Sequence, residues 1–146
     1  VISSEERLDI INIVNPLIGA RWMANTYGED GFFDCWGLVV YVQKHLFGRD
    51  LPRIDCPAMD EASLANLFST TGARSQWRVK DAKAKPVHGD LVEMARGKLP
   101  HHIGVYLAVD RGKVLHCAGG HGVTFQSPLD LKAGHWRIVR YNEWQG

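Results

Sequence analysis

At 146 residues the chain has the length of one ordinary domain, enough for a single core and too short for two. A hydrophobic content of 45% and a charged content of 23% describe a globular chain. A net charge of +1 without a basic block argues against a nucleic-acid binder. No apolar run reaches membrane-spanning length, and the amino terminus lacks a charged-then-apolar signal pattern.

Ser4 to Val14 reads as a first helix, capped by Ser3 or Ser4, with Leu8, Ile11 and Val14 along one side and Asn15-Pro16 at its end. Leu17 to Phe33 reads as a loop unusually rich in rings: Trp22, Tyr27, Phe32 and Phe33. So many aromatics on a loop suggest the lining of a groove. A buried helix follows over Cys35 to Phe47, with Asp34 as its amino cap and Gly48 as its left-handed stop. After a connector over Arg49 to Met59, Asp60 to Phe68 has the spacing of a third helix, and Trp77-Arg78-Val79 is too short to assign.

Beyond Pro86 the apolar period changes from helical to alternating. Asp90 to Met94 is a strand candidate. His102 to Val109 is the clearest strand, with Ile103, Val105, Leu107 and Val109 on one face and His102, Gly104, Tyr106 and Ala108 on the other. Asp110-Arg111-Gly112 turns the chain into Lys113 to His116, and Gly122 to Gln126 and Trp136 to Tyr141 add two strands. Helices first and a strand meander afterwards is an α+β pattern, with N-terminal helices packed on a C-terminal antiparallel sheet, in one domain over residues 1–146.

Three cysteines, Cys35, Cys56 and Cys117, are odd in number and irregularly spaced, which argues for at least one free thiol. Cys35 stands in the first turn of the central helix, where the aligned peptide dipoles favour thiolate over thiol. A cysteine nucleophile needs a base, and the base needs a group that fixes its ring. His102 opens the best strand, and Gly104 beside it leaves room for a helix-borne thiol to approach.

These segments resemble a known family. Phe33-Asp34-Cys35-Trp36-Gly37-Leu38-Val39 is similar to the Asp-Cys-Ser/Trp-Gly segment of NlpC-type cell-wall peptidases. His88-Gly89-Asp90-Leu91-Val92, His102-Ile103-Gly104-Val105-Tyr106-Leu107 and Lys113-Val114-Leu115-His116-Cys117 resemble their three following strand motifs, in order. The resemblance implies a papain-like α+β fold and a cysteine peptidase that cuts peptidoglycan stem peptides between D-glutamate and a diamino acid, without a cofactor or metal. It implies Cys35 as nucleophile, His102 as general base and acid, and His116 as the residue orienting His102. The family's oxyanion tyrosine is matched only by Trp22, or by Tyr27. Trp36 in place of the commoner Ser is the version found in peptidases of phage tails. That implies action at the bacterial cell wall with phage tail-tip proteins as partners.

Two further residues follow from the aromatic loop. Arg21 is placed to pair with a substrate carboxylate, and Trp36, beside the nucleophile, to narrow the adjacent pocket. The hairpin register leaves an alternative open. A turn centred on Arg111 sets His116 opposite Tyr106 and brings His102 nearer Gly120 and His121, so His121 competes with His116 as the orienting residue. Other readings are an idle tail-assembly subunit, a related-fold amidase or acyltransferase, and a zinc site of Cys35, His102, His116 and Cys117. The zinc site is disfavoured by the lack of a paired C-x-x-C.

Overall fold

The first helix begins where its sequence provides the cap. Ser3 Oγ accepts from Glu6 N–H (3.0 Å) and Glu6 Oε1 accepts from Ser3 N–H (2.9 Å), so two amino-terminal donors are satisfied reciprocally. The computed structural model describes residues 2–54, 72–97 and 102–146. The expected helix over Asp60 to Phe68, the distal part of the connector and Cys56 lie outside the described residues. Helix α1 runs Ser4–Val14 and tightens into a 3₁₀ turn at Asn15–Leu17. Its buried stripe is Ile10 and Val14, not Leu8 and Ile11, which are 58% and 46% exposed. The segment is apolar on two sides, and contact with the central helix selects the Ile10 side.

The central helix α2 runs Cys35–Phe47. Asp34 Oδ1 accepts from Gly37 N–H (2.6 Å), and Gly48 ends the helix at φ 65°. Trp36, Leu38, Val39 and Val42 have no exposed surface. Each such side chain contributes about 1.5–3 kcal/mol of burial, which makes this helix the centre of the core. The aromatic loop before it contains two short paired segments, β1 (Arg21–Trp22) and β2 (Phe32–Phe33), which run parallel.

The remaining strands are β3 (Trp77–Val79), β4 (Leu91–Arg96), β5 (His102–Leu107), β6 (Lys113–Ala118), β7 (Gly122–Gln126) and β8 (Trp136–Trp144). They form one antiparallel sheet in the order β3-β8-β4-β5-β6-β7. A short helix α3 (Pro128–Ala133), capped by Ser127, leads into β8. The α+β architecture of helices on a C-terminal antiparallel sheet is thus as expected. Among the described residues no helix is long and apolar enough to cross a membrane.

The β5–β6 register differs from the simple hairpin. Asp110 and Arg111 both take positive φ (50° and 69°), and Gly112 N–H closes the turn on Val109 O at 2.9 Å. The turn is centred earlier than Arg111, so Gly104 pairs with His116 and Tyr106 with Val114. Cross-strand partners share a face. His102, Gly104, Val114 and His116 therefore lie on the face that carries Val92, Met94 and Trp136. Ile103, Val105, Leu107, Leu115 and Cys117 pack with α2.

Candidate functional site

The two strand histidines meet. His102 Nε2 and His116 Nδ1 are 2.9 Å apart, and both rings are buried. The register explains this without any irregularity: with Gly104 opposite His116, His102 is the diagonal neighbour on the same face. Gly104 serves this contact, not the approach of a thiol. A Cβ there would lie 2.8 Å from Leu115 O and 3.0 Å from His116 Cβ, so glycine lets the two strands close. His121 sits exposed in the turn after β6 and does not join the pair.

Four groups missed in the sequence complete the cluster. Gln126 Oε1 lies 2.6 Å from His116 Nε2, and Thr124 Oγ1 lies 3.3 Å from both atoms. Trp136 stacks on the His102 ring, with centroids 4.7 Å apart and planes at 23°, and meets the His116 ring edge-on. The Arg96 guanidinium also lies over the indole, 4.1 Å from its centroid. Thr124 was findable, since it pairs with His116 across β6 and β7, and Gln126 follows two residues on along the same face.

Burial is the main force on both rings. It pushes His102 well below its ordinary 6.5, with His116 and Arg96 adding repulsion. It lowers His116 to about 4 although the bond to Gln126 works the other way. Both rings are accordingly neutral at pH 7. His102 Nδ1 is buried and has no hydrogen-bond partner, so this ring is held at one nitrogen only.

Cys35 is the first residue of α2 and has no exposed surface. The amino end of α2 rests on β6 at Cys117, whose Sγ donates to Phe33 O at 3.3 Å, two residues before Cys35. Nucleophile candidate and histidine pair thus stand toward the same end of the β5–β6 pair but on opposite faces, Cys117 facing α2 and the two histidines facing Trp136. No hydrogen bond joins His102 Nδ1 to the thiol in this structure. Catalytic hydrogen bonds are often long before substrate is bound. Asp34, buried at the helix cap, accepts from Gly37 and from Asn25 N–H (2.7 Å). Burial nevertheless raises its carboxyl above the ordinary value.

The aromatic loop divides. Arg21 and Trp22 line a pocket of about 430 Å³ with Gly19, Gly120, His121 and Gly122. The pocket adjoins the α2 amino end, because Trp22 pairs with Phe33 and Met23 N–H donates to Phe33 O. The buried Trp22 Nε1 has no partner. Tyr27 does not fit the oxyanion role, because its hydroxyl donates to Ile54 O (3.2 Å) and accepts from Ile54 N–H (2.8 Å). Trp36 does not wall a pocket. It is fully buried, and its indole N–H donates to Pro52 O at 2.9 Å, anchoring the connector. Among the described residues no three His, Cys, Asp or Glu side chains are grouped to hold a metal ion.

A family model, the NlpC/P60 family, matches residues 21–138. Among solved structures the chain is similar to NlpC2 from Trichomonas vaginalis at 18% identity and a TM-score of 0.62. That match covers 100% of this chain and 49% of the other, so the chain spans about half that protein's length. It is also similar to the NlpC/p60 domain of the peptidoglycan hydrolase SagA, at 20% identity and a TM-score of 0.54, covering 93% of this chain and 97% of that one. No curated protein sequence matches. At these identities the structural likeness speaks for the fold, a papain-like α+β domain. The match over residues 21–138, from the aromatic loop to the last strand, goes further: the chain belongs to the NlpC/P60 family, a peptidoglycan hydrolase-type family.

Proposed function

We propose that this chain is a cysteine peptidase that hydrolyses amide bonds in peptidoglycan stem peptides, between D-glutamate and a diamino acid. One observation carries the reading. A buried, neutral histidine pair leaves one nitrogen of His102 unengaged at the end of the sheet where Cys35 opens α2. The His102–His116–Gln126 line is the kind of arrangement that steadies a base.

In this mechanism the Cys35 thiol proton passes to His102 Nδ1, and the sulfur attacks the scissile carbonyl carbon. The carbonyl π electrons move to oxygen, giving a tetrahedral oxyanion held by the Cys35 backbone N–H. Collapse restores the carbonyl and breaks the C–N bond, and the departing amine takes the proton from His102. Water then gives a proton to His102 and adds to the thioester. The thiolate leaves and recovers that proton, and the acid product departs. His116 holds the His102 ring throughout. Arg21 and Trp22 line the pocket adjoining this end of α2 and supply a substrate-carboxylate contact. A place in a phage tail or tail-like particle is part of this proposal and rests on the Asp34-Cys35-Trp36-Gly37 segment alone.

The test is digestion of defined muropeptides with mass analysis of the fragments. Cleavage between D-glutamate and the diamino acid is expected, and Cys35→Ala should fold normally yet lose at least about 10³-fold in rate. Alkylation of the wild type should mark Cys35 before Cys117, which is equally buried and donates its thiol to Phe33 O. Activity surviving in Cys35→Ala refutes the peptidase mechanism, and release of whole stems from the sugar identifies an amidase instead.

A further inference from the structure

His102 serves as a base only if its lone pair sits on Nδ1, and neutral imidazole can carry its proton on either nitrogen. We propose that Gln126 is a positioning residue that sets the protons of both histidines: its amide oxygen, held against His116 Nε2, fixes His116 as the Nε2–H form and thereby His102 as the Nε2–H form with a bare Nδ1. This rests on the reading of His102 as the base, but the proton positions are a property of the folded chain alone.

The argument runs along the three contacts. An amide oxygen carries no proton, so the 2.6 Å contact between Gln126 Oε1 and His116 Nε2 requires the proton to be on Nε2. A neutral His116 then has its lone pair on Nδ1, and burial keeps it neutral. The 2.9 Å contact between His116 Nδ1 and His102 Nε2 needs one donor, which must now be His102. His102, also neutral, is left with its lone pair on Nδ1, the buried atom without a partner. Thr124 accommodates the arrangement: its hydroxyl donates to Gln126 Oε1 at 3.3 Å. With the amide reversed, every proton in the line moves one step. His102 then carries its proton on Nδ1 and has no lone pair there to accept the thiol proton.

Gln126 ends β7 and is only half-buried, so it can be changed without opening the core. The primary measurement is long-range ¹⁵N–¹H correlation on histidine-labelled wild-type protein near pH 7. Protons are expected on Nε2 of both rings. Gln126→Glu keeps an acceptor and should keep both tautomers. Gln126→Leu leaves only the Thr124 hydroxyl, which can donate or accept, so a mixture of tautomers should emerge at both rings. In turnover, kcat for Gln126→Leu should fall between about tenfold and about 10⁴-fold, the upper end being typical of a wrong histidine tautomer, with KM within about twofold. Gln126→Glu should recover most of the loss. A wild-type His102 protonated on Nδ1 overturns the proposal, as do unchanged tautomers and kcat in Gln126→Leu. If Gln126→Leu does not fold, the wild-type and Gln126→Glu spectra decide. Tautomers as expected alongside activity that survives Cys35→Ala would sink the peptidase reading and leave the role of Gln126 standing.

Discussion

Gly37 lies in the third position of α2, where alanine would ordinarily stabilise a helix by about 1 kcal/mol. The structure predicts the opposite here. An added Cβ would sit 1.9 Å from Thr26 O and 3.0 Å from Thr26 C, both backbone atoms of the aromatic loop. Relief requires moving that backbone by about 1 Å, at a typical overpacking cost of about 1–3 kcal/mol. Moving it also strains the Asp34 N–H bond to Thr26 O (3.3 Å) and the Asn25 N–H bond to Asp34 (2.7 Å), at about 1 kcal/mol each. Setting these losses against the helix-propensity gain leaves Gly37→Ala less stable by about 2–4 kcal/mol. Urea unfolding measures it, as a lower midpoint with an unchanged slope. Gly48→Ala is the comparison: its added Cβ meets open space, so only the positive φ of 65° is strained, at about 1 kcal/mol. A Gly37→Ala protein as stable as the wild type, or less affected than Gly48→Ala, would refute the claim that the loop is clamped against the first turn of α2.

Two other outcomes follow from the site. His102 and His116 are both depressed below 6.5, so the fold binds their protons more weakly than the unfolded chain does. That stability is fully present above about pH 6.5 and is lost as pH falls. For His116 alone the drop to about 4 corresponds to about 3 kcal/mol, lost between about pH 6.5 and about pH 4. Unfolding free energies across that range should show the slope in wild type and less of it in His116→Asn. His88, also lowered by burial, adds a part that the variant keeps. An unchanged slope would contradict the buried pair. Trp36→Ser should destabilise by about 3–5 kcal/mol, because it empties a core position and removes the donor to Pro52 O. Thermal unfolding checks this, and a fully stable variant with broadened substrate choice would return Trp36 to the pocket wall.

Much of the fold was legible because its signals are local. The Ser3–Glu6 capping box, the Asp34 and Gly48 ends of α2 and the alternation from His102 onward all lie within a few residues of what they determine. The hairpin register was not, because its turn uses Asp110 and Arg111 at positive φ, without the Asn or Gly that marks such turns. The buried side of α1 could not be chosen from an apolar pattern that fits two faces. Strands β1 to β3 are too short for periodicity to register. Helix α3 was a missed signal: Ser127-Pro128-Leu129-Asp130 has the form of a capping box with proline at the first helical position.

The candidate site divides along the same line. Cys35, His102 and His116 stand in motifs with fixed neighbours, so resemblance could find them. Gln126, Trp136 and Arg96 come from three different strands and matter only through stacking and a single bond. Position along the chain also misled at Trp36. Adjacency to Cys35 suggested a shared surface, but successive residues in a helix point about 100° apart, and on α2 that rotation turns the indole into the core. The same geometry turns a correct register into a working inference. Once Gly104 is set opposite His116 and His116 opposite Thr124, one row across β5, β6 and β7 brings an acceptor to the outer histidine. That acceptor determines which nitrogen the inner histidine leaves bare.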